Sequence, residues 1–250
     1  MIPPVKELGQ NFLIAKDVVT KMIAGLELTD GDQVVEIGPG LGALTKELSK
    51  RNITIRAVEI DERLVKNLKH LFAGKANIEI IEANILDWLP DYTPKGGFKI
   101  IGSLPYYITS PILHAIIKMK QRPLVCVLLI QKEVAQKICG GEGDASYLSS
   151  FVQTFFVAQS LGVVDRTKFD PVPNVDSEII KLSVKAGDFI SENKLRTYEG
   201  FLHRGFSNPR KMLNKIFTEE ELGKVNVKGN LRAQNLPAAK WVEMFKTLLD

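Results

Sequence analysis

Between residues 33 and 130, short apolar runs alternate with stretches of helical period. The runs "QVVEIG" (33–38), "TIRAVEI" (54–60), "IEIIEA" (78–83), "FKIIGS" (98–103) and "LVCVLLI" (124–130) are rich in β-branched residues and nearly free of polar interruption. Strands buried on both faces of a sheet have that character. Between them, "LGALTKELSKR", "ERLVKNLKHLFA" and "SPILHAIIKMK" carry apolar residues at helical spacing. Strands alternating with helices predict a parallel, doubly wound α/β sheet of Rossmann-like type. Further on, "SSFVQTFFVAQSLGVV" (149–164) and "SEIIKLSVKA" (177–186) read as a late antiparallel pair of strands. The pattern then changes. "ISENKLRTYEGFLHRGF" (190–206), "PRKMLNKIF" (209–217), "TEEELGKV" (218–225) and "LPAAKWVEMFKTLLD" (236–250) each read as a short amphipathic helix. The expected division is a sheet domain over 1–187 and a small C-terminal helical domain over 188–250.

Composition changes this picture little. The chain has 250 residues, 45% hydrophobic and 25% charged, an ordinary globular profile. No apolar run approaches the roughly 20 residues of a membrane span. The start, "MIPPVKELGQNFL", lacks the apolar core of a signal peptide. Cys126 and Cys139 have no metal-ligand spacing, and His70, His114 and His203 are scattered. Neither a metal site nor a histidine cluster is expected. Reduced thiols and a cytoplasmic location fit this cysteine usage, and a monomer is the default. Charge is more informative. Residues 189–250 carry 11 Lys and Arg against 7 Asp and Glu, which accounts for the whole net charge of +4. That excess suits either a polyanion-facing surface or a solvated helical face.

"VVEIGPGLGALT" (34–45) is a strand that runs through Gly38, Gly40 and Gly42 into a helix. Glycines there let a ligand approach the backbone at the carboxyl end of the first strand. The spacing also matches the loose dinucleotide fingerprint, a weak signal. Glu36 argues against that ligand, because a carboxylate so placed meets a pyrophosphate with like charge. S-adenosylmethionine has no phosphate and carries an ammonium and a sulfonium, so a carboxylate suits it directly or through water. The second strand ends "AVEID", placing Glu59 21 residues after Gly38, where a carboxylate accepts hydrogen bonds from ribose hydroxyls. Asn84, in "IEANILDW", either bonds an adenine edge or forms a turn. Ile60 and Ile85, beside these two, complete the expected cofactor set.

The fourth strand ends in Ser103, Leu104, Pro105 and Tyr106. The exocyclic amine of a nucleobase is a poor nucleophile because its lone pair is delocalised into the ring. Acceptors for its N–H groups draw the nitrogen towards a pyramidal state. The Ser103 side-chain oxygen and the Leu104 carbonyl are the expected acceptors, Pro105 stiffens the turn, and Tyr106 stacks on the base. Tyr107 is expected to serve packing.

Taken in order, "LGQNFL" (8–13), "VVEIGPGLGALT", "AVEID", "SLPYYITSPIL", "LLIQKEVAQKI" (128–138), "FDPVPNVDSEIIKL" (169–182), "RGFSNPRKML" (204–213) and "LRAQNLPAAKWVEMF" (231–245) resemble the rRNA adenine N6,N6-dimethyltransferase family over nearly the whole chain. The resemblance implies a class I S-adenosylmethionine-dependent methyltransferase that dimethylates two adjacent adenosines in the 3′-terminal hairpin of small-subunit rRNA, in a pre-30S particle. By position it implies that Asn11 and Leu13 close over the cofactor, that Gly38, Gly40, Glu59 and Asn84 line it, and that Phe169 stacks on the base opposite Tyr106. Arg204, Arg210, Lys211 and Lys215 would grip RNA phosphates. The chain departs from the family at Ser103, usually Asn, at Asn84, usually Asp, and at Ala145, often aromatic. Two other expectations stay open: a resistance-type methyltransferase of large-subunit rRNA, and an assembly factor of this fold with weak catalysis.

Overall fold

The computed structural model describes residues 2–141, 143–187, 189–208 and 210–249. Residue 188, which opens the expected second domain, residue 209, which opens an expected helix, and residue 250 lie outside the described residues. A short strand, β1 (Phe12–Leu13), and α1 (Lys16–Gly25) precede the sheet. The five apolar runs form β2 (Gln33–Ile37), β3 (Thr54–Glu59), β4 (Ile78–Glu82), β5 (Phe98–Ser103) and β6 (Val125–Gln131). The helices between them are α2 (Ala43–Leu48), α3 (Glu62–Leu71), α4 (Ile85–Trp88) and α5 (Thr109–Lys118). After β6 come α6 (Lys132–Cys139), α7 (Tyr147–Phe155), β7 (Phe156–Val164), β8 (Phe169–Asp170) and β9 (Ser177–Val184). The chain finishes with α8 (Leu195–Phe206), α9 (Glu219–Lys224) and α10 (Ala238–Leu249).

Seven strands make one sheet in the order β4-β3-β2-β5-β6-β9-β7. Neighbours from β4 to β6 pair in parallel, and β9 runs antiparallel to β6. The near-continuous apolar character follows from burial: Val34, Val35, Ile55, Ile100, Ile101, Val127 and Leu128 are all in the core. Each such side chain contributes about 1.5–3 kcal/mol by leaving water. β2 lies between β3 and β5, so strand order reverses there and a crevice opens outside the carboxyl ends. The two strands approach closely at that end. A Cβ on Gly102 would stand 2.7 Å from the Ile37 carbonyl oxygen, which no side chain tolerates. Gly102 is paired with Ile37 and immediately precedes Ser103.

The chain divides into two compact units, residues 1–135 with 159–184, and residues 136–158 with 185–250. The second unit therefore includes a segment that the sequence pattern assigned to the sheet domain. The reason is aromatic packing within that unit. Phe151 of α7 packs against Tyr198 of α8, whose hydroxyl bonds Thr154 at 2.7 Å, and Tyr198 packs edge-on to Phe245 of α10. Residues 149–155, expected as strand, are the body of α7. A capping box starts this helix: the Ser149 N–H donates to the Ser146 hydroxyl oxygen at 3.1 Å, and the Ser146 N–H donates to that of Ser149 at 2.7 Å. Cap and packing together outweigh the strand preference of Phe and Val. The helix expected over 209–217 is absent from its described residues, which hold only a single 3-10 turn at Leu213–Lys215. The Leu213 and Asn214 N–H groups are committed instead to the carbonyls of Leu231 and Gly229.

Gly102→Ala is expected to push β2 and β5 apart and to cost about 2 kcal/mol, the usual scale of overpacking. Denaturant unfolding checks this; a variant as stable as the wild type contradicts the close approach.

Candidate active site

β2 delivers the chain into the glycine loop, where Gly38 and Gly40 hold left-handed conformations at φ +62° and +59°. At Gly40 a side chain is also crowded, since its Cβ would come within 3.1 Å of the Phe12 ring, which would have to give by a few tenths of an ångström. The loop is tied to the end of β3 by one carboxylate. Glu59 accepts hydrogen bonds from the N–H groups of Gly40 (3.1 Å), Ile60 (2.9 Å) and Asp61 (3.1 Å). Burial pushes its carboxyl above the ordinary range, while those three donors pull it back. A carboxylate offers about four acceptor positions, so about one remains for a ribose hydroxyl.

The segment before β1 runs along this site. The Gln10 side chain accepts from the Val5 N–H and donates to Asp61, both at 2.8 Å. Arg63 clamps the same Asp61 at 2.6 Å and holds its carboxyl well below the usual range. Asn11 donates to the Gly9 carbonyl at 3.2 Å. β1 then pairs antiparallel with β8, Leu13 opposite Phe169.

On the other side, Asn84 caps α4 by accepting from the Leu86 N–H at 3.0 Å. Its turn-forming role is thus realised, and its amide N–H groups remain available. At the end of β5 the Leu104 N–H donates to the Leu129 carbonyl at 3.0 Å and its side chain is buried, which fixes the tetrapeptide to β6. The Tyr106 hydroxyl bonds that of fully buried Ser177 at 2.8 Å. Among the described residues the Ser103 hydroxyl and the Leu104 carbonyl oxygen have no hydrogen-bond partner.

These pieces line a single cavity of about 300 Å³, within the range of small-molecule sites. Its wall brings together Asn11, Gly38, Gly40, Glu59, Ile60, Asn84, Ile85, Ser103, Leu104, Pro105, Tyr106 and Phe169. Two expected residues are not in it. Leu13 belongs to the hydrophobic core, because the short strand turns its side chain inward beside Phe169. Glu36 is completely buried and accepts from the Thr45 hydroxyl of α2 at 2.7 Å. Its other oxygen is unpartnered, and burial pushes the carboxyl up to about 7. Of the lining residues that the sequence pattern did not assign to the site, three bear directly on its shape. Phe12 covers Gly40, and Ser177 fixes Tyr106. Tyr107, expected to pack, lines the cavity and is 62% exposed. The loop signals "LGQNFL" and "NVDS" were visible, but the pairings that give these residues their positions are long-range.

Among the described residues the lining contains the carboxylate of Glu59 and no Lys or Arg. A pyrophosphate would meet negative charge and no cation. A cationic, phosphate-free ligand such as S-adenosylmethionine fits the donor set. In the second unit, Arg210, Lys211 and Lys215 are exposed. An isolated bridge between Met212 and Arg232 brings Arg232 to the same strip of chain. Arg204 is otherwise engaged: it pairs with Glu221 at 2.9 Å, donates to the Ile216 carbonyl at 3.0 Å and lies 4.4 Å over the Phe217 ring. That placement makes it a structural cation.

A seven-stranded sheet with this order, a glycine loop stitched to a strand-end acid and a cation-free cavity define a class I S-adenosylmethionine-dependent methyltransferase. The chain belongs to the ribosomal RNA adenine dimethylase family, whose sequence profile matches residues 5–250. It is 36% identical over 250 residues to Ribosomal RNA small subunit methyltransferase A of Sulfurihydrogenibium sp. (strain YO3AOP1), covering 98% of this chain and 96% of that protein. It is 34% identical over 254 residues to the protein of the same name from Fusobacterium nucleatum, covering 96% of each. Among solved structures it resembles the 23S rRNA methyltransferase ErmE, with a TM-score of 0.77, 29% identity and coverage of 96% of this chain and 100% of that one. It also shares the fold of a dimethyladenosine transferase from Plasmodium falciparum, with a TM-score of 0.83, 24% identity and coverage of 94% and 96%.

Because Glu36 binds its proton more tightly in the folded chain, its contribution to stability is full below pH 4.5 and is lost as pH rises through about 7. The shift corresponds to a loss on the order of 3 kcal/mol. Glu36→Gln is expected to remove it. Urea unfolding of both proteins across this range checks the point: the variant gains on the wild type as pH rises, and a constant difference contradicts the buried charge.

Proposed function

We propose that the protein transfers methyl groups from S-adenosylmethionine to the N6 amine of adenosine in small-subunit rRNA. Its targets are the two adjacent adenosines of the 3′-terminal hairpin. It acts as a cytoplasmic monomer on a pre-30S particle. One observation carries this reading: Ser103 and Leu104, whose Oγ and carbonyl oxygen have no hydrogen-bond partner among the described residues, line the same cavity as Glu59, Tyr106 and Phe169. S-adenosylmethionine supplies a methyl group on a positively charged sulfur. The rest is the work of this chain. Tyr106, held by Ser177, and Phe169 receive the flat base and offset the cost of unstacking it. Ser103 and Leu104 accept the two N–H groups of the amine, which turns its lone pair out of conjugation and fixes its direction. As the N–C bond forms and the donor's S–C bond breaks, the nitrogen becomes cationic and releases a proton to water, so a single N–H remains. The short side chain of Ser103 leaves room for the methyl already added, while the Leu104 carbonyl keeps its bond.

Arg210, Lys211 and Lys215 supply phosphate contacts, with Arg232 and Lys228 added to the set by the pairing of 212–214 with 229–232. Such contacts position RNA and make its binding salt-sensitive. Asn11 belongs to the strap over the cofactor. The relatives at 36% and 34% identity are named for the small subunit. ErmE, at 29%, is named for 23S rRNA and supports the second reading, a large-subunit substrate.

Incubation with undermethylated small subunits, and separately with large-subunit RNA, decides between them. Dimethyladenosine is expected in the first only. Ser103→Ala is expected to lower kcat by about tenfold to a hundredfold, the scale of one lost transition-state hydrogen bond. Ser103→Asn combined with Asn84→Asp is expected to stay within about threefold of the wild type by the same measure. A sharp rise in that double variant would favour a weakly active assembly factor instead.

A further inference from the structure

An open groove of about 510 Å³ lies one residue beyond the amine site. It adjoins that site through the register of β6 and β9. Gln131 stands opposite Ser177, and the Ser177 hydroxyl holds Tyr106. Lys132 follows Gln131 on one wall, and Asp176 precedes Ser177 on the other. Asp165 and Arg166 close the groove.

Among the described residues the lining holds three acids, Glu133, Asp165 and Asp176, and the last two accept hydrogen bonds from neighbouring groups. The Asp165 carboxylate accepts from the Thr167 N–H at 2.8 Å and from the Thr167 hydroxyl at 2.6 Å. That of Asp176 accepts from the Arg166 N–H at 3.2 Å. The cations are not engaged in the same way. Lys132 is half-buried, and its ammonium has no partner among the described residues. The Arg166 guanidinium makes one long contact, Nη1 to the Asn174 carbonyl at 3.4 Å. Glu133, the third acid of the lining, is exposed, so a phosphate is held here only by direct contact with the Lys132 ammonium and the Arg166 guanidinium.

We propose that the groove binds a backbone phosphate adjoining the adenosine whose base enters the cavity, with Lys132 and Arg166 as its clamp. This rests on the rRNA reading above. A base leaves its stack by rotation about the backbone, so a phosphate pinned beside the pocket fixes the axis of that rotation. Lys132 and Arg166 are positioning residues and touch no reacting atom.

Steady-state kinetics on undermethylated small subunits at several salt concentrations test the clamp, using the wild type, Lys132→Met, Arg166→Gln and Lys132→Arg. KM is expected to rise about fivefold to tenfold in each neutral variant while kcat stays within about twofold, and the slope of log KM against log salt is expected to fall by about one per lost charge. Lys132→Arg is expected to behave as the wild type. S-adenosylmethionine affinity, measured by calorimetry on the same preparations, is expected to be unchanged and reports an intact fold. Unchanged KM and slope in both neutral variants overturn the proposal, and so does a fall in kcat at constant KM. A wild type that methylates no rRNA overturns the rRNA reading and the clamp together, and the wild type alone reveals it.

Discussion

The Glu59 carboxylate, gripped by three backbone N–H groups, is the interaction on which the ligand-facing half of this protein depends. It joins the glycine loop after β2 to the turn after β3. The loop after β2 is too glycine-rich, and the turn through Ile60 and Asp61 after β3 too short, to hold a shape by side-chain packing. A buried carboxylate provides that shape because three N–H groups that would lack partners find one acceptor. The same residue lines the cavity, so a ribose hydroxyl bound there as proposed would share its lone pairs with the three N–H groups. Its neighbour Glu36 shows the alternative. With one hydroxyl donor and one unpartnered oxygen, burial dominates there and the carboxyl rises to about 7.

From this anchor the site extends along the sheet. Gly102 permits the close approach of β2 and β5, and the approach carries Ser103 and Leu104 to the cavity wall. β6 fixes Leu104 through its backbone, and β9 fixes Tyr106 through Ser177. Four strands thus converge on one end of the sheet, each contributing one constraint. A parallel sheet buried on both faces is stiff enough to keep such constraints in register. Ser103 and Leu104, the acceptors of the proposed mechanism, are placed by the scaffold itself.

Much of this was legible in the chain. Near-continuous β-branched runs gave five strands, because burial on both faces leaves no other pattern. The placement of Gly38, Gly40, Glu59 and the tetrapeptide on one cavity was legible because local backbone geometry and strand-end position decide it. What was not legible depended on partners far along the sequence. The strand preference of 149–155 yields to a serine capping box and to Tyr198 and Phe245. The helical pattern of 210–217 yields to backbone pairing with 229–232. Leu13, expected over the cofactor, turns inward and Phe12 lines the cavity instead, because pairing with β8 decides which side chain faces the core. Arg204 looks like a phosphate ligand until Glu221 is folded beside it.

The central claim is that one cavity, anchored by Glu59 and bounded by Ser103 and Leu104, holds the methyl donor against the acceptor amine. A crystal structure of the protein bound to S-adenosylmethionine tests it most directly. The account predicts a ribose hydroxyl within hydrogen-bond distance of the Glu59 carboxylate and the sulfonium methyl directed at the Ser103–Leu104 oxygens. A cofactor bound elsewhere, or one whose methyl points away from those two oxygens, contradicts it.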